Sequence, residues 1–194
     1  MSLAAGKLPK MPDLACLGVV KEVGDVYLSE KGVYYVIPVQ IEGKYGGRDA
    51  TFFFLFQPKW FEKDFDPAIL LKEDRKGKLY GAYRRFVNDE SRVSALVALA
   101  GKEFGALVEA FDGLEEVDEK AVEEVLKQIL PGQDVGYILT QRFDMAEGKR
   151  TPTEMYNIGR WFALDEAGLK AISVDANNPK RRKPLVMTWE DGNE

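Results

Sequence analysis

Alternation of apolar and polar residues predicts three β-strands in the first third of the chain. Residues 14–23 are rich in β-branched side chains, and residues 33–41 place every second apolar side chain on one face. Segment 49–57 carries phenylalanines at alternate positions, and the Gly-rich turn 42–48 joins it to the second strand. The second and third strands are therefore expected to form a β-hairpin.

The apolar spacing then changes to a helical period. Asp66 followed by a proline is typical of a helix start, and predicts a short helix over 66–72. From Ser91, apolar residues recur at helical spacing for about 20 residues. A second amphipathic helix is expected to begin at an Asp118 cap and to end at Leu130, before Pro-Gly.

Strand patterns return at 134–143 and 155–163, separated by a polar loop at 144–153. Residues 164–173 fit either a loop or a short helix, and segment 81–87 fits either a strand or an extended loop. About five main strands, with helices between the third and the fourth, match the OB arrangement, although small mixed α+β folds give the same pattern.

The fold class expected is mainly β with a helical insert (α+β), as a five-stranded OB-type Greek-key barrel with helices between strands 3 and 4. The chain is expected to form one OB-type domain over residues 1–174, with the helical insert at about 88–131. Residues 175–194 are rich in Asn, Pro and charge, and are expected to be a flexible C-terminal tail.

The charge distribution changes the view of what partner the chain can bind. The formal net charge is −5, but residues 103–130 alone hold nine acids and two bases. The rest of the chain is therefore slightly basic, with a net charge of +2. A polyanion responds to the local field and not to the total, so nucleic acid remains an acceptable partner for one face.

The composition excludes much catalytic chemistry. The chain has no histidine and a single cysteine, Cys16, so it has no His-based triad, no His general base and no intramolecular disulfide. The carboxylates at Asp64 and Asp66 could hold Mg²⁺, but Asp66 also serves as a helix cap. No phosphate-binding loop follows Gly46-Gly47. We expect a non-enzymatic protein with no cofactor and no metal.

Aromatic and basic residues stand side by side in several short runs, which is the composition that single-stranded nucleic acid needs. Aromatic rings stack on bases, and Arg or Lys follows the phosphates. The candidate DNA-binding residues are Tyr34, Lys44, Tyr45, Arg48, Phe53, Trp60, Tyr83, Arg84, Arg85, Phe86, Arg142, Lys149, Arg150, Tyr156, Arg160 and Trp161.

Several of these residues have an ordinary structural reading as well. Tyr34 and Phe53 fit a covered sheet face as well as a DNA contact, and Trp60 could close the end of a barrel. Trp161 lies beside apolar neighbours, which favours the core. Arg142 and Arg160 lie on paired candidate strands and could be cross-strand neighbours.

The chain resembles phage and virus-type single-stranded DNA-binding proteins with an OB fold. The resemblance covers residues 14–165: an aromatic strand, a Gly/Lys hairpin, a strand ending FQP, a helical insert, and the segment VGYILTQRF…EMYNIGRWFA. It implies DNA binding in replication or recombination, often by oligomers. The positions that it places on barrel strands are Tyr34, Phe53, Arg142, Tyr156 and Arg160, and those on hairpin tips are Lys44, Tyr45, Arg48, Lys149 and Arg150.

The C-terminal segment adds a charge run, Lys180 to Lys183, which fits a solvated linker or an arm that contacts phosphate. Trp189 and the acids after it could recruit replication or recombination proteins. The sequence has no apolar run long enough for a membrane span and no secretion signal, so we expect a cytoplasmic protein without membrane contact, with a homo-oligomer left open.

Two other functions compete with DNA binding. The chain could be a structural or adaptor protein of a viral or replication assembly, using the aromatic β surface for protein contacts. It could also be a Mg²⁺-dependent nuclease or phosphotransferase, in which case substitution of Asp64 or Asp66 would abolish turnover.

Overall fold

The protein is described by a computed structural model over residues 10–30, 32, 34–56, 95–116, 118–146 and 148–190. These residues are mainly β with a few helices, compatible with an α+β fold. The predicted helix at 66–72 and segment 81–87 lie outside the described residues, as do Asp64 and Asp66.

The described elements that were predicted occur in the predicted order, and two short strands that were not predicted, at 27–28 and 185–187, are added. The strands are β1 (Asp13–Val23), β2 (Tyr27–Leu28), β3 (Tyr35–Lys44), β4 (Ala50–Phe56), β5 (Asp134–Ala146), β6 (Lys149–Phe162) and β7 (Leu185–Met187). The helices are α1 (Phe104–Asp112), α2 (Glu119–Ile129) and α3 (Glu166–Ala176). Residues 95–100 are also helical, and a 3₁₀ turn at Gly101–Glu103 separates them from α1.

The strands form one sheet with the order β2-β3-β1-β5-β6, in which β4 also pairs with β3 and β7 with β1. The β1–β5 and β5–β6 pairs are antiparallel, whereas β7 runs parallel to β1. Among the described strands, no pairing joins β4 to β6, so the sheet is open at this point.

Two compact units divide the chain. The hairpin unit takes its described residues from Met1–Val19, Ile41–Thr51 and Asp134–Glu194, and the helical unit takes its own from Val20–Gln40 and Phe52–Gln133. Strands β1, β3 and β4 contribute residues to both units.

The helical unit buries the apolar stripes that the sequence indicates. Alternate residues Phe54 and Phe56 are buried, with ring centroids 5.6 Å apart. The cap predicted at Asp118 is confirmed, because its carboxylate accepts the Ala121 N–H at 2.8 Å. Helix α2 is tied to the turn after β1 by Lys127, whose Nζ donates to Asp25 and Glu123 at 2.6 Å each.

The hairpin unit has a small core of its own. Ala15 of β1, Ile138 of β5 and Ile172 of α3 pack with Leu185 and Met187 of β7. Phe162, Ala176 and Trp189 pack against this cluster.

The C-terminal segment differs from the predicted flexible tail. Leu185–Met187 pairs with β1 in the register Asp13↔Leu185, Leu14↔Val186 and Ala15↔Met187. Trp189, for which partner recruitment was one alternative, is half-buried with its ring 6.0 Å from that of Phe162. The segment is held in place by the burial of Leu185 and Met187. A strand of three residues is too short to show an alternation of apolar and polar residues, so the sequence did not predict it.

The β5–β6 hairpin is also longer than predicted. The expected polar loop at 144–153 is largely strand, with pairs continuing to Ala146↔Lys149. A hairpin can extend beyond the packed core because cross-strand hydrogen bonds pair its backbone N–H and C=O groups even where both faces of the strands are exposed to solvent.

Within the described part of the chain, no helix is both long enough and apolar enough to span a membrane.

Candidate nucleic-acid interface

The turn between β3 and β4 carries Lys44, Tyr45 and Arg48 on a tightly folded backbone. Tyr45 has φ +52° and Gly46 has φ +81°, so the chain reverses through two left-handed residues. A Cβ on Gly43 would lie 2.2 Å from the Gly47 carbonyl oxygen, which leaves room only for glycine. The Gly43 N–H also donates to Asp49 Oδ1 at 2.9 Å.

This turn presents one ring and one ammonium group to solvent. The side chain of Tyr45 is 69% exposed. Lys44 Nζ donates to Asp134 Oδ1 at 2.7 Å, and this hydrogen bond raises the pKa of Lys44 above its ordinary value. Both groups stay partly open to solvent, so the pair contributes little to stability.

Arg48 makes two contacts that connect the β3–β4 turn to the β5–β6 hairpin. Its guanidinium carbon lies 5.1 Å from the ring centroid of Tyr156 on β6, which is cation–π geometry. Its carbonyl accepts the Tyr137 hydroxyl at 2.5 Å. Burial raises the pKa of Tyr137, so this phenol stays protonated and donates throughout the physiological range.

Tyr156 and Trp161 are half-buried on β6 and are held by defined contacts. The Tyr156 hydroxyl donates to the Pro12 carbonyl at 3.1 Å. Trp161 is opposite Tyr137 in register, with ring centroids 6.4 Å apart. The structure therefore connects three of the predicted residues: Arg48 contacts Tyr156 with its guanidinium and Tyr137 with its carbonyl, and Tyr137 contacts Trp161. Tyr137 itself was not among the predicted residues.

A second ring with cations lies further along the hairpin. The Phe143 ring of β5 has the Arg150 guanidinium carbon at 5.3 Å and Lys183 Nζ at 5.2 Å from its centroid. Only Arg150 of these three was predicted. The sequence signal for the others was present, since Phe143 follows Arg142 and Lys183 ends the basic run, but nothing in a single sequence places that run beside the hairpin.

Three further cations of the β5–β6 hairpin, Arg142, Lys149 and Arg160, are exposed. Two of them form ion pairs with carboxylates. Arg142 Nε donates to Asp144 at 3.2 Å, and Arg160 Nη2 donates to Asp175 of α3 at 2.8 Å. The two arginines are not cross-strand partners, because Arg160 is opposite Ile138 and the register shifts between them. Lys149 is exposed beside the hairpin turn.

The helical unit contains two of the predicted rings, described here within that unit alone. The side chain of Phe53 is 51% exposed, between a half-buried Phe52 and a buried Phe54. Tyr34 is half-buried, and its N–H donates to Ser29 Oγ at 3.1 Å.

The remaining predicted residues, Trp60, Tyr83, Arg84, Arg85 and Phe86, lie outside the described residues. Within the described ranges, no group of three or more Cys, Asp or Glu side chains could hold a metal ion.

Comparison of the sequence with protein-family models gave no match, and comparison with curated proteins gave none either.

Proposed function

We propose that this protein binds single-stranded DNA without catalysis and with little sequence preference, in replication or recombination. The observation that carries the proposal is the pairing of half-buried rings with cations on the β5–β6 hairpin. Arg48 lies over Tyr156, and Arg150 and Lys183 lie over Phe143. A base can stack on such a ring while the neighbouring cation moves to a phosphate.

The strand order supports the same proposal. The order β4-β3-β1-β5-β6 matches that of an OB-type barrel in which the closing pair, β4 with β6, is left out. OB folds bind extended oligonucleotides across their strands and adjoining loops. Tyr45 and Arg48 lie between β3 and β4, and Tyr156 lies on β6, so these are the residues that we expect to contact the strand. The OB-type barrel is part of the proposal.

The test is a titration of labelled oligo-dT, followed by fluorescence anisotropy at two salt concentrations. We expect binding that weakens with salt, because counterions are released from the DNA, and that is not displaced by duplex DNA, because only single strands offer open base faces for stacking. Quenching of the intrinsic tryptophan emission on binding, if it is lost in Trp161→Phe, would place the strand beside β6. A wild-type protein that shows no salt-dependent binding to oligo-dT overturns the proposal.

Matched variants separate stacking from folding. Tyr156→Phe keeps the ring and loses only the hydrogen bond to Pro12, so we expect near-normal affinity. Tyr156→Leu loses the ring, and a lost stacking contact of about 1–3 kcal/mol corresponds to roughly 5- to 150-fold weaker binding.

Arg48→Ala removes a guanidinium but keeps the carbonyl that accepts Tyr137, so the fold should survive. We expect weaker binding and a smaller salt dependence. The charge-matched control is Lys170→Ala, an exposed lysine on α3 that makes neither contact. Arg84→Ala/Arg85→Ala in the same titration tests that predicted pair independently.

Exposed apolar residues on β2 favour a second candidate, a structural or adaptor protein of a viral or replication assembly. Tyr27 and Leu28 are both exposed on a strand at the end of the sheet order. Under this function the protein would form an oligomer or partner complex without shifting oligo-dT. Light scattering of wild type and Leu28→Lys measures it, and assembly unaffected by the substitution would count against this surface.

A further inference from the structure

The basic run Lys180, Arg181, Arg182 and Lys183 is not a uniform charged tail. Lys180 and Arg182 are exposed, whereas Arg181 and Lys183 are half-buried. The side chain of Arg181 is only 19% exposed. Neighbouring cations of one run therefore have different environments, which a solvated linker would not produce.

The guanidinium of Arg181 donates hydrogen bonds to three different residues. Its Nη2 donates to Asp13 Oδ2 at 2.8 Å, and its Nη1 donates to Asp175 Oδ2. Its Nε donates to the carbonyl of Lys183 at 3.1 Å. The planar fork thus ties the start of β1 and the end of α3 to the backbone of Lys183.

The ammonium group of Lys183 lies beside the Phe143 ring of the β5–β6 hairpin. Its Nζ and the Arg150 guanidinium carbon both lie about 5 Å from the Phe143 centroid. Among the described residues, neither cation makes an ion pair with a carboxylate. Two like charges close to one ring repel each other, and an anion bound beside them would lower that cost.

We propose that Phe143, Arg150 and Lys183 form a phosphate-binding and base-stacking subsite for single-stranded DNA, with Arg181 as the residue that positions Lys183. This inference rests on the proposed function. It assigns to the C-terminal segment a part of the binding surface, supplied by a residue 21 positions after Phe162, where the hairpin ends.

The first test compares Lys183→Met with Arg182→Met by oligo-dT titration over a range of salt concentrations. Both remove one charge and keep an aliphatic stem, but only Lys183 approaches the hairpin ring. For Lys183→Met we expect several-fold weaker binding and a slope of log K against log salt that falls by about 0.7, the value for one phosphate contact on a single strand. Arg182→Met should keep the wild-type slope.

The outcomes separate this inference from the function beneath it. A wild type that does not bind oligo-dT overturns the proposed function. A wild type that binds, with Lys183→Met and Arg182→Met indistinguishable, overturns the subsite and leaves DNA binding in place.

The second test asks whether Arg181 acts through Lys183. Arg181→Ala should lower the salt slope as Lys183→Met does, and the double variant should lose no more than either single variant. Additive losses would contradict a positioning role. If Arg181→Ala does not fold, Arg181→Lys keeps the charge but cannot bridge both carboxylates, and a wild-type slope in that variant would contradict the role equally.

Discussion

At the scale of single residues, Tyr137 contacts two residues of the candidate interface, Arg48 and Trp161. Its ring is buried, with the backbone of Gly18 so close that an added Cβ would lie 3.0 Å from the ring. Its hydroxyl fixes the Arg48 carbonyl and its ring contacts Trp161. One buried phenol therefore sets the backbone position of a cation and the orientation of an indole.

Tyr137→Phe tests this arrangement. Loss of the donor to Arg48 should lower the free energy of unfolding by about 1–2 kcal/mol. Because the pKa of Tyr137 is raised in the fold, its contribution is fully present below the unfolded value of 10.0 and declines at higher pH. Urea unfolding at pH 7 and above pH 10 should show a difference between wild type and variant that shrinks in alkali. A difference that grows with pH would contradict the assignment.

At the scale of elements, the β3–β4 turn and helix α1 use glycine for opposite reasons. Gly43 faces the carbonyl of Gly47 at a distance that no Cβ tolerates, whereas Gly105 in α1 has open space around it. The first glycine is required by the close approach of two backbone segments, and the second only adds conformational freedom to the unfolded chain.

Substitution of each by alanine should therefore change stability in opposite directions. Gly43→Ala should cost roughly 2–4 kcal/mol through strain in the turn, and Gly105→Ala should gain about 0.5–1 kcal/mol. Chemical denaturation measures both. Equal effects of the two substitutions would show that the turn is looser than described.

Strands with a clear period and helices with a clear cap could be predicted from the sequence. Segments 14–23 and 134–143 correspond to β1 and the first part of β5, and the Asp118 cap was confirmed. Residues 164–173 were ambiguous because α3 has only one buried residue, Ile172, so its amphipathic signal is weak.

The sequence indicates residues of the candidate site where aromatic and basic residues are neighbours in the chain. It does not indicate contacts that depend on the pairing register of β5 and β6. Arg48 and Tyr156 were predicted from neighbouring aromatic and basic residues, although their contact joins positions more than 100 residues apart. The irregular register between β5 and β6 separated Arg142 from Arg160, and no sequence period encodes such bulges. The run that ends at Lys183 was considered as an arm that contacts phosphate, but its position beside Phe143 was not predicted because only tertiary packing brings the two together.

At the scale of the whole molecule, the C-terminal segment contributes to the core of the hairpin unit. Leu185 and Met187 are buried in the cluster with Ala15, and the Thr188 N–H donates to the Ala15 carbonyl at 3.0 Å. The segment predicted as a tail therefore contributes both packing and backbone hydrogen bonds.

Truncation should separate these roles. A chain ending at Pro179 loses β7 and its buried side chains, and we expect it to lose at least about 3 kcal/mol of stability, as core truncations of this size do. A chain ending at Glu190 keeps every contact described for β7, and should melt at the wild-type temperature. Thermal melts followed by circular dichroism compare the two, and an unaltered melt for the shorter chain would contradict the packing role.

The parallel pairing of β7 with β1 has a consequence for synthesis of the chain. The first described strand cannot gain this partner until residue 187 has left the ribosome, so β1 must wait through the translation of everything between them. During that interval the part of β1 that packs against β7, at Ala15, lacks the cover of Leu185 and Met187 and is open to chaperones and other nascent chains. A translational delay in the region encoding α2 postpones β5 as well as β7, so it should lower the yield of folded protein more than the same delay in the region encoding α3.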